Sequence, residues 1–226
     1  MNFLTRTEAL IGIDAIEILK KSKIAIIGVG GVGGFCFEAL VRSGIEKFLI
    51  VDKDTVEITN LNRQIIATRE TLGKDKVEVA KERALTINPD IEIEAIKCTL
   101  DPEIVASLNL SEYDYVVDAI DDIPAKVAII TNCKENNVNI ISAMGAGKKL
   151  DPTKFKVSDI HKTSVDPLAR KMRALLREKN IKNVKVVYSD EETQEIDNSV
   201  IASISFMPSV MGLIMASEVI KDLIKS

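Results

Sequence analysis

The apolar positions of the chain change period several times, and each change marks an element. Between residues 8 and 22, Leu10, Ile13, Ile16 and Leu19 recur at three-residue intervals, the spacing of one helix face. Ile24–Ile27 is an unbroken apolar run that ends on glycine, as a strand buried on both faces would. Gly28-Val-Gly-Gly-Val-Gly33 follows, then a helical segment from Phe35 to Arg42 closed by Gly44, then a second apolar run, Phe48–Val51, ending at Asp52. Strand, glycine turn, helix and strand make a βαβ unit, which implies a parallel sheet.

The alternation continues. Thr55 to Thr71 is polar and irregular and reads as a loop. Lys74 to Ile87 has helical spacing through Val77, Ala80 and Leu85 and stops at Asn88-Pro89. Ile91–Ile96 alternates as a half-exposed strand, and Tyr115–Asp118 and Val138–Ser142 read as buried strands. Between the last two lies a helix, Ile123 to Glu135, with Pro124 in its first turn. Beyond it the pattern shifts. Phe155–Ile160 alternates, Pro167–Lys179 is a basic helix, Val184–Tyr188 a strand and Ser189–Asn198 an acidic loop. Val200–Ser217 carries no charge, but Pro208, Gly212 and several serines lie inside it and Glu218 follows at once. That favours a buried strand plus a core or dimer-interface helix over an integral membrane segment. The expected fold is α/β: a Rossmann-like, doubly wound, mostly parallel sheet with an antiparallel C-terminal extension. Residues 1–226 would form one domain, with a nucleotide-binding core over 1–145 and a basic segment, strand and helix over 146–226.

Composition narrows the function. With 46% hydrophobic and 28% charged residues among 226, the chain is not a disordered one. Its three cysteines, Cys36, Cys98 and Cys133, contain no C-x-x-C, so a disulfide framework and a structural zinc are not expected, and a reducing cytoplasm is. The first residues have no basic stretch leading into an apolar run, so no signal peptide is read. Aromatics at 4% without Trp leave no stacking platform for single strands. A net charge of −4 argues against a generic polyanion binder such as a DNA-binding protein. Yet residues 146–186 hold 12 Lys and Arg against 4 Asp and Glu. That is a local excess suited to an anionic partner.

A glycine turn between a buried strand and a helix presents backbone N–H groups and the helix N-terminus to phosphate. Gly28 allows the tight turn, Gly30 with Gly31 lets a ligand approach, Gly33 lets the helix pack, and Asp52 is placed for ribose hydroxyls. Alone, the motif suits NAD as well as ATP. Three clusters separate them: Asn60-Leu-Asn-Arg63-Gln64, Gly73-Lys-Asp-Lys76, and Asp118-Ala-Ile-Asp121-Asp122. Triphosphate chemistry needs concentrated positive charge and a carboxylate for Mg²⁺, which Arg63, Lys76 and Asp121 supply.

From Phe3 to Asp122 these motifs resemble, in order, the ubiquitin-activating-type adenylating enzymes. The resemblance implies ATP and Mg²⁺ as cofactors. Asp52, Asp54, Asn60, Arg63, Gln64 and Lys76 would hold the nucleotide, Asp121 the metal, and Arg6 would reach the partner subunit's site in a homodimer. Arg63, Lys76, Asp121 and Arg6 would be the catalytic set. A carboxylate would react with ATP to give an acyl-adenylate, and a nucleophile would then attack the activated carbonyl. Sulfur-carrier activators of this superfamily carry paired cysteines and a reactive cysteine after the fifth strand, whereas here no cysteine follows Cys133. A carrier-protein adenylyltransferase remains the alternative, and an NAD-binding protein a third reading.

The series Gly145-Ala-Gly147, Leu150-Asp-Pro-Thr153, Lys162-Thr-Ser-Val-Asp-Pro-Leu168, Arg173-Ala-Leu-Leu-Arg177 and Phe206-Met-Pro-Ser-Val-Met-Gly212 resembles the tRNA threonylcarbamoyladenosine dehydratase branch. This resemblance covers nearly the whole chain. It implies ATP-dependent cyclisation of the modified adenosine in tRNA, and it admits a cysteine-desulfurase or sulfur-acceptor partner. An intramolecular nucleophile needs no catalytic cysteine. The tRNA would meet Lys148, Lys149, Lys154, Arg170, Arg173 and Arg177, the three arginines sharing one helix face by their spacing. The lone His161 is read as structural or RNA-facing rather than as a base.

Overall fold

A computed structural model describes residues 2–195 and 201–225. Two short helices, α1 (Thr5–Ile11) and α2 (Ile13–Lys21), precede the sheet. The single helix expected over 8–22 is broken at Gly12, whose φ of 86° lies where residues with a side chain are strained. The core then alternates: β1 (Lys23–Ile27), α3 (Gly33–Arg42), β2 (Lys47–Asp52), α4 (Lys76–Ile87), β3 (Glu92–Lys97), α5 (Pro102–Ser107), β4 (Tyr115–Asp118), α6 (Ile123–Glu135), β5 (Asn139–Ala143). The C-terminal part adds β6 (Phe155–Asp159), α7 (Pro167–Glu178), β7 (Lys185–Ser189) and α8 (Phe206–Leu223). Helix α5 escaped the sequence reading, although its cues are present. Asp101 caps it, accepting from the Ile104 N–H at 2.8 Å, and Pro102 opens it.

The seven strands form one sheet in the order β3-β2-β1-β4-β5-β7-β6. Every neighbouring pair is parallel except β6 with β7. The order reverses direction beside β1, so β1 and β4 diverge in their connections and leave a crevice at their carboxyl ends. Successive residues of β1 feed opposite faces. Ile24 and Ile26 join Phe37, Leu40 and the α8 methionines, while Ala25 and Ile27 join Ile129, Met172 and Leu176.

The uncharged C-terminal stretch is a core helix. Met207, Met211, Met215 and Val219, four apart, are fully buried on the α3 side of the sheet. The strand expected before it is not formed: residues 201–204 carry no strand, and Val200, with positions 196–198 of the expected acidic loop, lies outside the described residues. Residues 201–204 run beside the loop after β5 instead, where the Ala202 carbonyl accepts from the Lys148 N–H at 2.8 Å. Gly212 explains how closely α8 sits. A Cβ there would fall 2.2 Å from the Val32 carbonyl oxygen. The C-terminal end of α8 is tied to the sheet by Asp222, which accepts from the Tyr115 hydroxyl at 2.7 Å and pairs with Lys185 at 2.6 Å. Gly212→Ala must therefore force α8 off the glycine turn. Thermal unfolding should show a Tm lowered by roughly 3–10 °C, as for a core overpacking of about 1–3 kcal/mol; an unchanged Tm would refute the contact.

Candidate nucleotide-binding cleft

The crevice holds a cavity of about 650 Å³ running from the glycine turn to the loop after β5. Its first half is built on backbone. Gly28 has a φ of 91°, and a Cβ there would meet the Ala119 carbonyl at 2.9 Å. At Gly33 a Cβ would sit 1.7 Å from the Gly28 oxygen, so no other residue can start α3 there. Gly30 faces open space, with only Gln64 Nε2 at 3.7 Å, which leaves room for a ligand against the backbone. Gly31 does a second job: its missing Cβ makes space for Pro208 of α8, 3.1 Å away.

Asp52 at the end of β2 fixes this turn. Its Oδ2 accepts from the Val29 N–H at 2.8 Å and its Oδ1 from the Asp54 N–H at 3.0 Å. The carboxylate keeps unused lone pairs at the cleft, as ribose binding requires. Asn60 also lines the cleft, but its Oδ1 accepts from the Glu57 N–H at 3.0 Å and so shapes the turn that carries Arg63. Arg63 Nη1 donates to the Thr59 carbonyl and to Asn62 Oδ1, holding the guanidinium along the wall. Gln64 is 7% exposed, and its Oε1 is buried without a partner. Its Nε2 is the amide atom on the side of Gly30. Lys76 opens α4, is 5% exposed, and pairs with Asp54 at 2.8 Å. Asp54 thus orients the lysine.

Asp121 stands exposed on the rim. Among the described residues its carboxylate makes no ion pair, and no group of three or more His, Cys, Asp or Glu side chains forms a closed metal cage. One carboxylate plus phosphate oxygens is the usual way Mg²⁺ is held. Behind Asp121 lies a network that the sequence reading did not assemble. Lys126 of α6 and Asp118 of β4, both fully buried, pair at 2.9 Å. Lys126 Nζ also donates to the Ile120 carbonyl at 3.0 Å, and Ser142 Oγ donates to Asp118 at 2.6 Å. The turn that carries Asp121 is pinned from below. A lysine eight residues beyond the strand end, one turn into a helix, was the available signal.

The second half is lined by 145–149, 166–168, Thr193 and Ile201. Two expectations fail here. Lys149, assigned to tRNA, is fully buried against Asp166 at 2.9 Å, because the loop after β5 turns it inward. Arg173, assigned to the same exposed row, donates through Nη1 to the Thr163 carbonyl at 2.8 Å and is half-buried, so it braces the loop before α7. Lys148 lines the cleft rather than the outer face. Lys154, Arg170 and Arg177 are exposed. Arg6 is exposed on α1 and is not part of this cleft. His161 Nε2 lies 2.8 Å from the Ile181 carbonyl and ties two loops together.

No thiolate is poised for catalysis among these groups. Burial pushes the Cys133 thiol up to about 12 and the Cys36 thiol higher still. Cys98 lines the cleft, but burial, with Asp101 nearby, raises its pKa too.

Comparison with known proteins agrees with this site. The ThiF family profile matches residues 4–226. A tRNA threonylcarbamoyladenosine dehydratase of Bacillus subtilis is 41% identical over 98% of this chain and 94% of its own length. The Escherichia coli protein of that name is 40% identical over 76% of this chain, and that match spans 64% of the relative. Crystal structures of the E. coli tRNA N6-threonylcarbamoyladenosine dehydratase in complex with AMP and with ATP superpose with TM-scores of 0.92 and 34% identity, over 97% of this chain and 93% of that one.

Removing single charges tests the cleft. Lys76→Ala and Arg63→Ala should each lower ATP-dependent turnover by roughly 100-fold or more, the scale of losing one preorganised donor. Asp121→Ala should abolish turnover with the circular dichroism spectrum unchanged. Near-parental rates in all three would misplace the site.

Proposed function

The chain belongs to the ThiF family, in its tRNA threonylcarbamoyladenosine dehydratase branch, and from that premise we propose that it cyclises threonylcarbamoyladenosine in tRNA with loss of water, using ATP. One observation carries the reading. The B. subtilis relative matches over 98% of the chain, so the likeness includes the segment after β5 that builds the second half of the cleft. Fold-level likeness alone would stop at the nucleotide end.

The residues fit the nucleotide. The open face at Gly30 admits phosphate against backbone at the N-terminus of α3, with the Gln64 Nε2 beside it. Arg63 and Lys76 would bear on the phosphates, Asp52 on the ribose, and Asp121 on Mg²⁺. ATP supplies an adenylyl group that makes a carboxylate oxygen a good leaving group. The carboxylate oxygen bonds to the α-phosphorus and pyrophosphate departs. A nucleophile of the same side chain then attacks the carbonyl, AMP leaves with that oxygen, and one water is lost overall. Arg63 and Lys76 stabilise the charge that builds on the departing phosphates. The cleft holds the substrate's two ends close, which replaces a catalytic thiol. The raised pKa values of all three cysteines and the missing paired cysteines weigh against a carrier-protein activator.

The partner is tRNA, met by exposed Lys154, Arg170 and Arg177. The working form is a homodimer in the cytoplasm in which Arg6 completes the neighbouring site. No helix among the described residues is long and apolar enough to cross a membrane. Mass spectrometry of nucleosides after incubating modified tRNA with the protein, ATP and Mg²⁺ tests the activity. The modified adenosine should lose one water only when ATP is present, and an unchanged nucleoside would refute it.

Arg170→Glu with Arg177→Glu should weaken tRNA binding at least tenfold at about 0.1 M salt and flatten its salt dependence. ATP binding should hold, and parental tRNA affinity would reduce the row to a solvated surface. Arg6→Ala and Asp121→Ala proteins, each inactive, should regain part of the activity when mixed, because one hybrid site is then whole. No recovery after demonstrated subunit exchange would remove Arg6 from the site.

A further inference from the structure

The second half of the cleft contains an arrangement whose stability value is doubtful. Asp166 and Lys149 are both fully buried. Asp166 Oδ2 accepts from Lys149 Nζ at 2.9 Å and from the Gly145 N–H at 3.1 Å, while its Oδ1 caps α7 by accepting from the Ala169 N–H at 3.0 Å. Lys149 Nζ donates back to the Gly145 carbonyl at 3.0 Å. One carboxylate therefore joins the first turn of α7 to both ends of the loop 145–149.

The chain is bent to achieve this. Val165, just before Asp166, has a φ of 57°, a conformation that a β-branched residue adopts only under constraint. The Asp166 N–H reaches back to the Ser164 carbonyl, closing a tight turn. The wall has no slack on either side. A Cβ at Gly145 would lie 3.0 Å from Asp166 Oδ2, and one at Gly147 would lie 2.8 Å from Ile201 Cγ2. Burying two charges and straining a valine both oppose folding, so the pair is a weak device for stability alone. The arrangement instead sets a distance. Helix α7 carries exposed Arg170 and Arg177 on its outside, and its first turn, with the loop 145–149, lines the cleft opposite the glycine turn.

We propose that Lys149 and Asp166 are positioning residues for the acyl end of the substrate: their buried pair holds the tRNA-facing helix in register with the cleft wall, so that the carboxylate of the modified base meets the nucleotide. The inference rests on the tRNA-dehydratase reading. Lys149 and Asp166 are taken up by each other and by the Gly145 backbone, so the pair acts through loop 145–149.

The test compares Lys149→Met, Lys149→Arg, and the apolar pair Lys149→Met with Asp166→Leu, each assayed for Tm, ATP affinity, and kcat and KM on modified tRNA. Lys149→Met leaves a buried carboxylate unpaired and should lower both Tm and kcat. The apolar pair leaves no charge unpaired but gives up the Asp166 cap of α7, so its Tm should recover part, not all, of the loss seen in Lys149→Met. Its kcat should stay roughly 100-fold down, the scale of a small misplacement of reacting groups, with ATP affinity and the KM for tRNA within about threefold of the parent. Lys149→Arg, which keeps the charge, should recover at least about tenfold of the kcat lost in Lys149→Met. Parental kcat in the apolar pair would make the buried charges purely structural and overturn the proposal. So would a raised KM with kcat intact, or a folded Lys149→Arg as slow as Lys149→Met. If the apolar pair does not fold, the arginine comparison decides. A parent protein that forms no cyclic nucleoside at all would instead refute the underlying reading, and the two failures are told apart by that control.

Discussion

The contact between Gly33 and the carbonyl of Gly28 is the constraint from which the rest of the cleft follows. At 1.7 Å from that oxygen, no Cβ can exist, so α3 starts directly against the end of β1. The positive end of its dipole is then brought to the crevice. Everything around the turn is packed to keep it there. Ala119 at the end of β4 closes on Gly28, Pro208 of α8 on Gly31, and Gly212 brings the same helix onto Val32. Asp52 holds the Val29 N–H from the β2 side. Three elements distant in sequence thus clamp one backbone turn. The uncharged C-terminal helix belongs to the nucleotide site as much as to the core.

Charge around the cleft follows one plan. Three lysines are buried and each pairs with one aspartate: Lys126 and Lys149 with buried Asp118 and Asp166, and Lys76 with exposed Asp54. Removing one member of a buried pair costs roughly 3–5 kcal/mol, whereas replacing both by apolar residues is often neutral. Such pairs are better understood as fixing geometry than as holding the fold. They pin the loops after β2, β4 and β5, which are the strand ends where a doubly wound sheet binds its ligands. Arg63 and Asp121 stand on the loops so fixed, where the proposed function has them meet phosphate and metal. The basic charge outside stays on Lys154, Arg170 and Arg177, where it can meet a polyanion without competing for the cleft.

Features that depend on local periodicity were legible in the sequence. The βαβ unit, the glycine turn, Asp52, the parallel core and the antiparallel C-terminal pair all follow from runs, alternation and turn residues. Features set by loops folding across the sheet were not. Lys149 and Arg173 sit in a basic block, and charge alone gives no sign that one is buried against Asp166 and the other holds Thr163. The Asp118–Lys126–Ser142 network joins three elements whose meeting depends on the sheet order. The strand expected near position 200 was misread because an uncharged stretch does not say whether it feeds a sheet or a helix. The break at Gly12 shows the converse: one glycine outweighed a helical pattern that ran through it.

Activation of the substrate carboxylate by adenylylation is the step on which the proposed chemistry depends. Modified tRNA whose threonyl carboxylate carries a heavy oxygen isotope, turned over with unlabelled ATP, tests this directly. Mass spectrometry of the released nucleotide should find AMP bearing one labelled oxygen, because the bond from that oxygen to phosphorus survives when the ring closes. Unlabelled AMP, or ADP with labelled inorganic phosphate, would contradict an acyl-adenylate.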